Sequence, residues 1–249
     1  PYGRVDLKSV REDGLLYIDK TMYIEKLEQN NVLIYTRPRR FGKSMLTSML
    51  AYYYSINEAE NFEKIFKGLY VYDNPTPYKN SYYVLQFNFS GIETGSEVGL
   101  EEMNRQFSEL VYNGVVNCIT RYKFNIEINK NNNAAGILRE FLTKFNQLGK
   151  KNKIYVMIDE YDHFTNGMLQ GDGKKILSIL GNSGFVRAFY EVIKENLEQL
   201  NPPLERFFAT GVTPLTLDSL TSGFNIATKI TNNPLFTAMC GLTEEEVKY

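Results

Sequence analysis

Val32-Leu33-Ile34-Tyr35-Thr36-Arg37-Pro38-Arg39-Arg40-Phe41-Gly42-Lys43-Ser44 is the most informative string in this chain. Val32 to Thr36 reads as a buried strand, and a tight basic turn follows it. Gly42-Lys43-Ser44 then opens a helix that Met45, Leu46, Met49 and Leu50 continue. Strand, loop and Gly-Lys-Ser helix start form the layout of a phosphate-binding loop. In such a loop the glycine lets a phosphate approach the backbone, the lysine reaches the outer phosphates and the serine hydroxyl holds Mg2+. N–H groups at the start of the helix favour an anion there. The general pattern has Gly five residues before the second Gly, and here that position is Arg37. The loop is therefore expected to follow a different path, with the Arg37 guanidinium adding charge near the nucleotide. The competing reading is a plain basic turn.

A second segment weighs against the plain turn. Ile154-Tyr155-Val156-Met157-Ile158 is apolar without alternation, as in a strand covered on both faces of a parallel sheet. It runs into Asp159-Glu160-Tyr161-Asp162. A carboxylate at such a strand end positions Mg2+ in phosphate-loop enzymes, and a neighbouring one can act as base toward water. Asp159 is the expected metal ligand together with Ser44, and Glu160 the expected base. An acidic turn alone would be unremarkable; both motifs in order, each on its own strand, are hard to obtain by chance.

Composition bounds the rest. With 249 residues, 43% of them hydrophobic, the chain can form one large α/β domain, alone or with an appendage. Net charge is −1, which removes the bulk electrostatic case for nucleic acid. Mean hydropathy is −0.33, and no apolar run approaches the roughly 20 residues of a membrane span. Cys118 and Cys240 are far apart, with no neighbouring Cys or His, so neither a zinc pattern nor a disulfide framework is present. With no visible signal peptide, a cytoplasmic location is expected. The sole histidine, His163, is read as a surface or supporting residue, since nothing else supports a Ser-His-Asp or Cys-His site.

Along the chain, the pattern predicts strands at 32–36, 82–89, 154–158, 206–212 and 225–230. It predicts long helices near 100–121, 134–148 and 185–199. Residues 165–184 hold five glycines and read as a long loop or broken helix, a candidate mobile segment. Strands alternating with helices imply an α/β phosphate-loop NTPase with a parallel sheet and helices on both faces. Ligands of such sheets sit at the carboxyl ends of strands, where Thr36, Asp159 and Thr210 fall. Thr210 is a candidate sensor of the terminal phosphate; the alternative is a hydroxyl satisfying local backbone groups. The nucleotide-binding set is Arg37, Arg39, Arg40, Phe41, Gly42, Lys43, Ser44 and Met45. The catalytic set is Lys43, Glu160 and Thr210. The expected organisation is an N-terminal extension (1–30), the core (31–235) and the start of a C-terminal region (236–249). The chain starts at Pro1 and stops just after a Thr243–Glu246 capping box, so a fragment of a longer protein is expected.

The chain resembles the bacterial AAA-ATPase-like proteins, a phosphate-loop group near the AAA+ and STAND ATPases. The resemblance rests on Tyr17-Ile18-Asp19-Lys20-Thr21, Arg37 to Ser44, Ile158 to Asp162, Thr210-Gly211-Val212 and Gly241 to Val247, in family order. Arg37 is normal for that family. The resemblance implies an additional-strand fold with sheet order 5-1-4-3-2, and places Asp19 and Lys20 near the base or ribose. It also implies a C-terminal nuclease-like domain of the PD-(D/E)XK type in many relatives, through which alone nucleic acid would be a partner.

Two functional readings follow. One is an ATPase using Mg2+ and coupling nucleotide state to a C-terminal domain in cis or a partner. The other is a nucleotide-gated switch with little hydrolysis, waiting for an arginine worth roughly 10³–10⁵ in rate. Arg121, Arg139, Arg187 and Arg206 are the in-chain candidates. No guanine-reading Asn-Lys-x-Asp string occurs, which favours ATP. Oligomeric state is open between ring-forming and switching relatives.

Overall fold

A computed structural model describes residues 6–94, 97–163, 179, 184–213 and 224–248. Five strands form one parallel sheet: β1 (Val32–Thr36), β2 (Tyr83–Asn88), β3 (Ile154–Asp159), β4 (Leu204–Gly211) and β5 (Thr228–Lys229). Their spatial order is β2-β3-β4-β1-β5. Read from β5, this is the order the resemblance implied, with β4 standing between the two motif strands β1 and β3. The 165–184 segment lies outside the described residues except at Ile179 and Gly184.

Side chains alternate along each strand, so each strand feeds two cores. Ile34, Leu85, Phe87, Val156, Ile158, Phe207 and Ala209 point into one. Leu33, Tyr35, Val84, Tyr155, Met157 and Phe208 point into the other. All six residues of β3 are buried, which is why its sequence shows no polar alternation. Helices α1 (Leu7–Glu12), α2 (Tyr23–Leu27), α3 (Lys43–Tyr54), α4 (Phe62–Phe66) and α5 (Tyr70–Asp73) cover the second core. Helices α6 (Leu100–Tyr122), α7 (Ala134–Gln147) and α8 (Phe185–Glu198) cover the first. On α6 the buried Met103, Phe107, Val111, Val115 and Cys118 recur at helical spacing and make one stripe. A short last helix, α9 (Glu244–Val247), carries the expected capping box. No described helix is long and apolar enough to cross a membrane.

Leu7, Ile24 and Leu27 before β1, and Phe236, Met239 and Cys240 after β5, are buried in the same core as α3.

Candidate functional site

The loop between β1 and α3 sits at the carboxyl edge of the sheet. Thr36 pairs in register with Gly211, and the Arg37 N–H donates to the Gly211 carbonyl at 3.0 Å. Two residues then take positive φ: Arg40 at 67° and Gly42 at 89°. The left-handed turn at Gly42 costs a glycine little and swings the chain straight into α3. The first turn of a helix leaves its N–H groups without intrahelical partners, so this end presents donors and positive dipole to the strand ends. Lys43 is buried, with 5% exposure, and its Nζ donates to the Arg37 and Pro38 carbonyls, both at 3.0 Å. The lysine is thus folded back over its own loop.

Asp159, at the end of β3, is the centre of the arrangement. Ser44 Oγ donates to its Oδ2 at 2.5 Å, and Thr210 Oγ1 donates to its Oδ1 at 2.6 Å. The Glu160 N–H adds a third bond to Oδ1 at 3.0 Å. Strand β4 and the loop helix therefore converge on the carboxylate at the end of β3, and Asn88 of β2 pairs in register with Asp159. Thr210 is fully buried, and its hydroxyl faces Asp159. The sequence offers a phosphate sensor or a hydroxyl satisfying local backbone groups for this residue; the bond found here is to the Asp159 carboxylate.

Glu160 has φ 54°, a left-handed conformation uncommon outside glycine. That turn separates its side chain from that of Asp159 and directs it toward His163, whose Nδ1 lies 3.5 Å from Oε2. His163, with Lys43 and Arg39 adding their charge, holds the Glu160 carboxyl below its ordinary range. Glu160 and the Ile92 carbonyl in turn raise the His163 imidazole, against burial and the charge of Arg39. Asp162, fully buried, accepts the Val212 N–H at 2.9 Å and the Thr213 N–H at 2.5 Å, which locks the turn after β3 to the end of β4. A Cβ at Gly211 would collide with the Asp162 carboxylate and the Tyr161 ring, so the close approach requires glycine there. The sequence shows no role for Asp162, whose partners Val212 and Thr213 lie far along the chain, and a supporting one for His163, which faces Glu160 three residues earlier and the distant Ile92 carbonyl.

Other expected residues lie elsewhere. The Arg37 guanidinium points to the segment after β5: it donates to the Thr231 carbonyl at 2.9 Å and the Phe236 carbonyl at 3.3 Å, and stacks over Tyr35. Its guanidinium faces that junction. Both Asp19 carboxylate oxygens are engaged, one by the Thr21 N–H and hydroxyl, the other by the Tyr70 N–H. Asp19 thus caps a local turn, whereas Lys20 lines a cavity of about 460 Å³ beside the loop. Tyr17, Ile18, Met45, Cys240 and Leu242 supply apolar walls to that cavity. Arg206 bonds Tyr82 Oη and the Glu28 and Asn30 carbonyls at the amino end of β4. Four residues of strand, about 13 Å, separate it from Thr210. Arg139 pairs with Glu195 and Arg187 with Glu191. Of the four arginine candidates, Arg121 lines the groove that opens from Ser44 and Asp159 along β2.

Ser44 and Asp159 present a hydroxyl and a carboxylate, hard oxygen donors of the kind Mg2+ accepts. Among the described residues no group of three or more His, Cys, Asp or Glu side chains could hold a metal ion. Mg2+ does not need one, since it keeps several waters and takes substrate oxygens beside one or two protein ligands.

Residues 1–221 match the family model described as a predicted AAA-ATPase. The chain belongs to the AAA-ATPase-like family. Membership points to nucleotide binding and ATPase chemistry as the family's coarse function. The AAA-ATPase-like chain is also 28% identical over 257 residues to an uncharacterized protein in the vnfD 5′ region of Azotobacter chroococcum mcd 1. That alignment covers 99% of this chain and 43% of the relative, so the chain spans less than half the relative's length. No solved structure matches.

Proposed function

We propose that this chain binds ATP with Mg2+, hydrolyses it, and passes its nucleotide state to the C-terminal side of the protein. The observation that carries the reading is the Ser44–Asp159 contact of 2.5 Å beside a helix start capped by left-handed Gly42. Mg2+ held by Ser44 and Asp159 would neutralise charge on the phosphate oxygens. Lys43 exchanges the Arg37 and Pro38 carbonyls for phosphate oxygens when a nucleotide arrives. Arg39, Arg40, Phe41, Gly42 and Met45 complete the loop around the phosphates and the start of α3. Thr210 keeps Asp159 oriented. Glu160, with the charges of Lys43 and Arg39 near its carboxylate, takes the proton of the water that attacks the terminal phosphorus as the bond to the bridging oxygen breaks, giving ADP and phosphate.

The apolar cavity between Tyr17, Ile18, Met45, Cys240 and Leu242 adjoins the loop and suits the base of the nucleotide. The link to the C-terminal side is supported by Arg37, which grips the Thr231 and Phe236 carbonyls, and by the Gly241 N–H, which donates to the Phe41 carbonyl at 2.8 Å. A second reading, a switch with slow turnover, is favoured by the placement of Arg206 at the far end of β4 and by the carbonyl contacts of Arg37.

The test is ATP turnover and fluorescent-ATP binding for Lys43→Ala and Glu160→Gln. Lys43→Ala is expected to lose binding. Glu160→Gln is expected to bind normally and to lose at least about 10²-fold in turnover, the lower end of a general base's contribution. Normal turnover by Glu160→Gln would remove the base assignment.

A further inference from the structure

The turn after β3 holds a feature that ATP chemistry alone does not require. Glu160 and His163 face each other at 3.5 Å, and the ring's other nitrogen, Nε2, lies 2.9 Å from the Ile92 carbonyl in the loop after β2. A carbonyl only accepts, so Nε2 carries a hydrogen. Nδ1 is then the nitrogen that titrates. When protonated it donates toward the Glu160 carboxylate; when neutral it offers a lone pair and repels it. The ring is anchored at one end by a backbone group and gated at the other by a single proton. Side-chain exposure of 21% for His163 and 30% for Glu160 leaves the pair reachable by water yet partly shielded.

We propose that His163 is a positioning residue for Glu160: its imidazolium holds the carboxylate turned toward the ring, and the neutral ring releases it toward the water of hydrolysis. The inference rests on the assignment of Glu160 as the base. The other charged groups around the pair are Arg39, which faces both side chains and opposes protonation of the ring, and Lys43, which faces Glu160. The nearby Asp162 carboxylate is held by the Val212 and Thr213 N–H groups and turns to the end of β4. Hydrolysis would thus fall in acid because the base is held, with nucleotide affinity unchanged.

The chain contains one histidine, so its imidazole resonances need no assignment. Their NMR titration is followed in the native chain and in Glu160→Gln. The native midpoint is expected above the ordinary histidine value of about 6.5, and the variant midpoint lower. In parallel, kcat and KM for Mg2+–ATP are measured from acid to alkaline pH for the native chain, His163→Gln and His163→Asn. Native kcat is expected to rise about tenfold per pH unit below the His163 midpoint, with KM flat. Both variants are expected to lose that limb, with thermal unfolding verifying that they fold. An unchanged midpoint in Glu160→Gln overturns the contact. Retention of the acid limb by both His163 variants, while Glu160→Gln is inactive, overturns the positioning role. Normal turnover by Glu160→Gln overturns the base assignment instead, and the titration still decides the contact.

Discussion

Asp159 draws its three hydrogen bonds from three places: a loop helix, a neighbouring strand and its own next peptide. Each donor fixes one direction of the carboxylate, so loss of one leaves a nearly buried anion less well held. Thr210→Val keeps volume and removes the buried hydroxyl. A bond to a charged group contributes about 1.5–3 kcal/mol, and chemical denaturation of Thr210→Val is expected to show a loss of that size. A loss below about 0.5 kcal/mol would mean Ser44 and the Glu160 N–H suffice. At this scale the sequence was readable where chemistry imposes a local string. Lys43, Ser44 and Asp159 stand in fixed relation to a strand end, and the structure brings Ser44 and Asp159 into contact across 115 positions. The partners that Arg37 and Asp19 hold here, the Thr231 carbonyl and the Tyr70 N–H, leave no pattern near them in the sequence. Asp162 shows no local sign for the same reason, Thr213 being 51 residues away; His163 faces Glu160 three residues earlier, and only its Ile92 partner, 71 residues away, is out of reach of the local string.

The elements follow their apolar spacing closely where they are long. Helices α6, α7 and α8 and strands β1 and β3 end within a residue or two of the boundaries read from periodicity, since each buries a stripe or a full face. Strand β5 is shorter than expected: only Thr228–Lys229 pairs, on the open edge beside β1. Helices α1 and α5 were not foreseen. Each has six residues or fewer, too short for a period, and α1 depends on its Asp6 cap, which accepts the Ser9 N–H at 2.8 Å. One glycine within a helix has a clear cause. A Cβ at Gly114 of α6 would stand 2.6 Å from the Phe87 ring and 3.0 Å from the Gln86 carbonyl. Helix propensity favours alanine by about 1 kcal/mol, but overpacking costs roughly 1–3 kcal/mol. Gly114→Ala is therefore expected to lower thermal stability, with α6 forced away from β2. An increase in stability would show that Phe87 turns aside freely.

Across the molecule, the flanks close over the loop. The segment before β1 and the one after β5 share the core of α3, and Lys20 joins Glu246 of the last helix at 2.6 Å. The Lys20 and Glu246 side chains are partly buried, 11% and 26% exposed, so the pair ties both flanks across the cavity next to the loop. The expected division into extension, core and C-terminal start carries no sign of this contact, whose partners lie 226 residues apart. Residues before β1 and after β5 both line the cavity beside the loop, and nucleotide occupancy should stabilise the fold. The direct measurement is the thermal unfolding of this chain with Mg2+–ATP, with Mg2+–GTP and without ligand, beside Lys43→Ala. A ligand at about 100 times its dissociation constant adds about 2.7 kcal/mol to the native state. A rise in melting temperature is expected with ATP, a smaller rise with GTP, and no rise in Lys43→Ala. No rise with either nucleotide, or an equal rise in the variant, would contradict it.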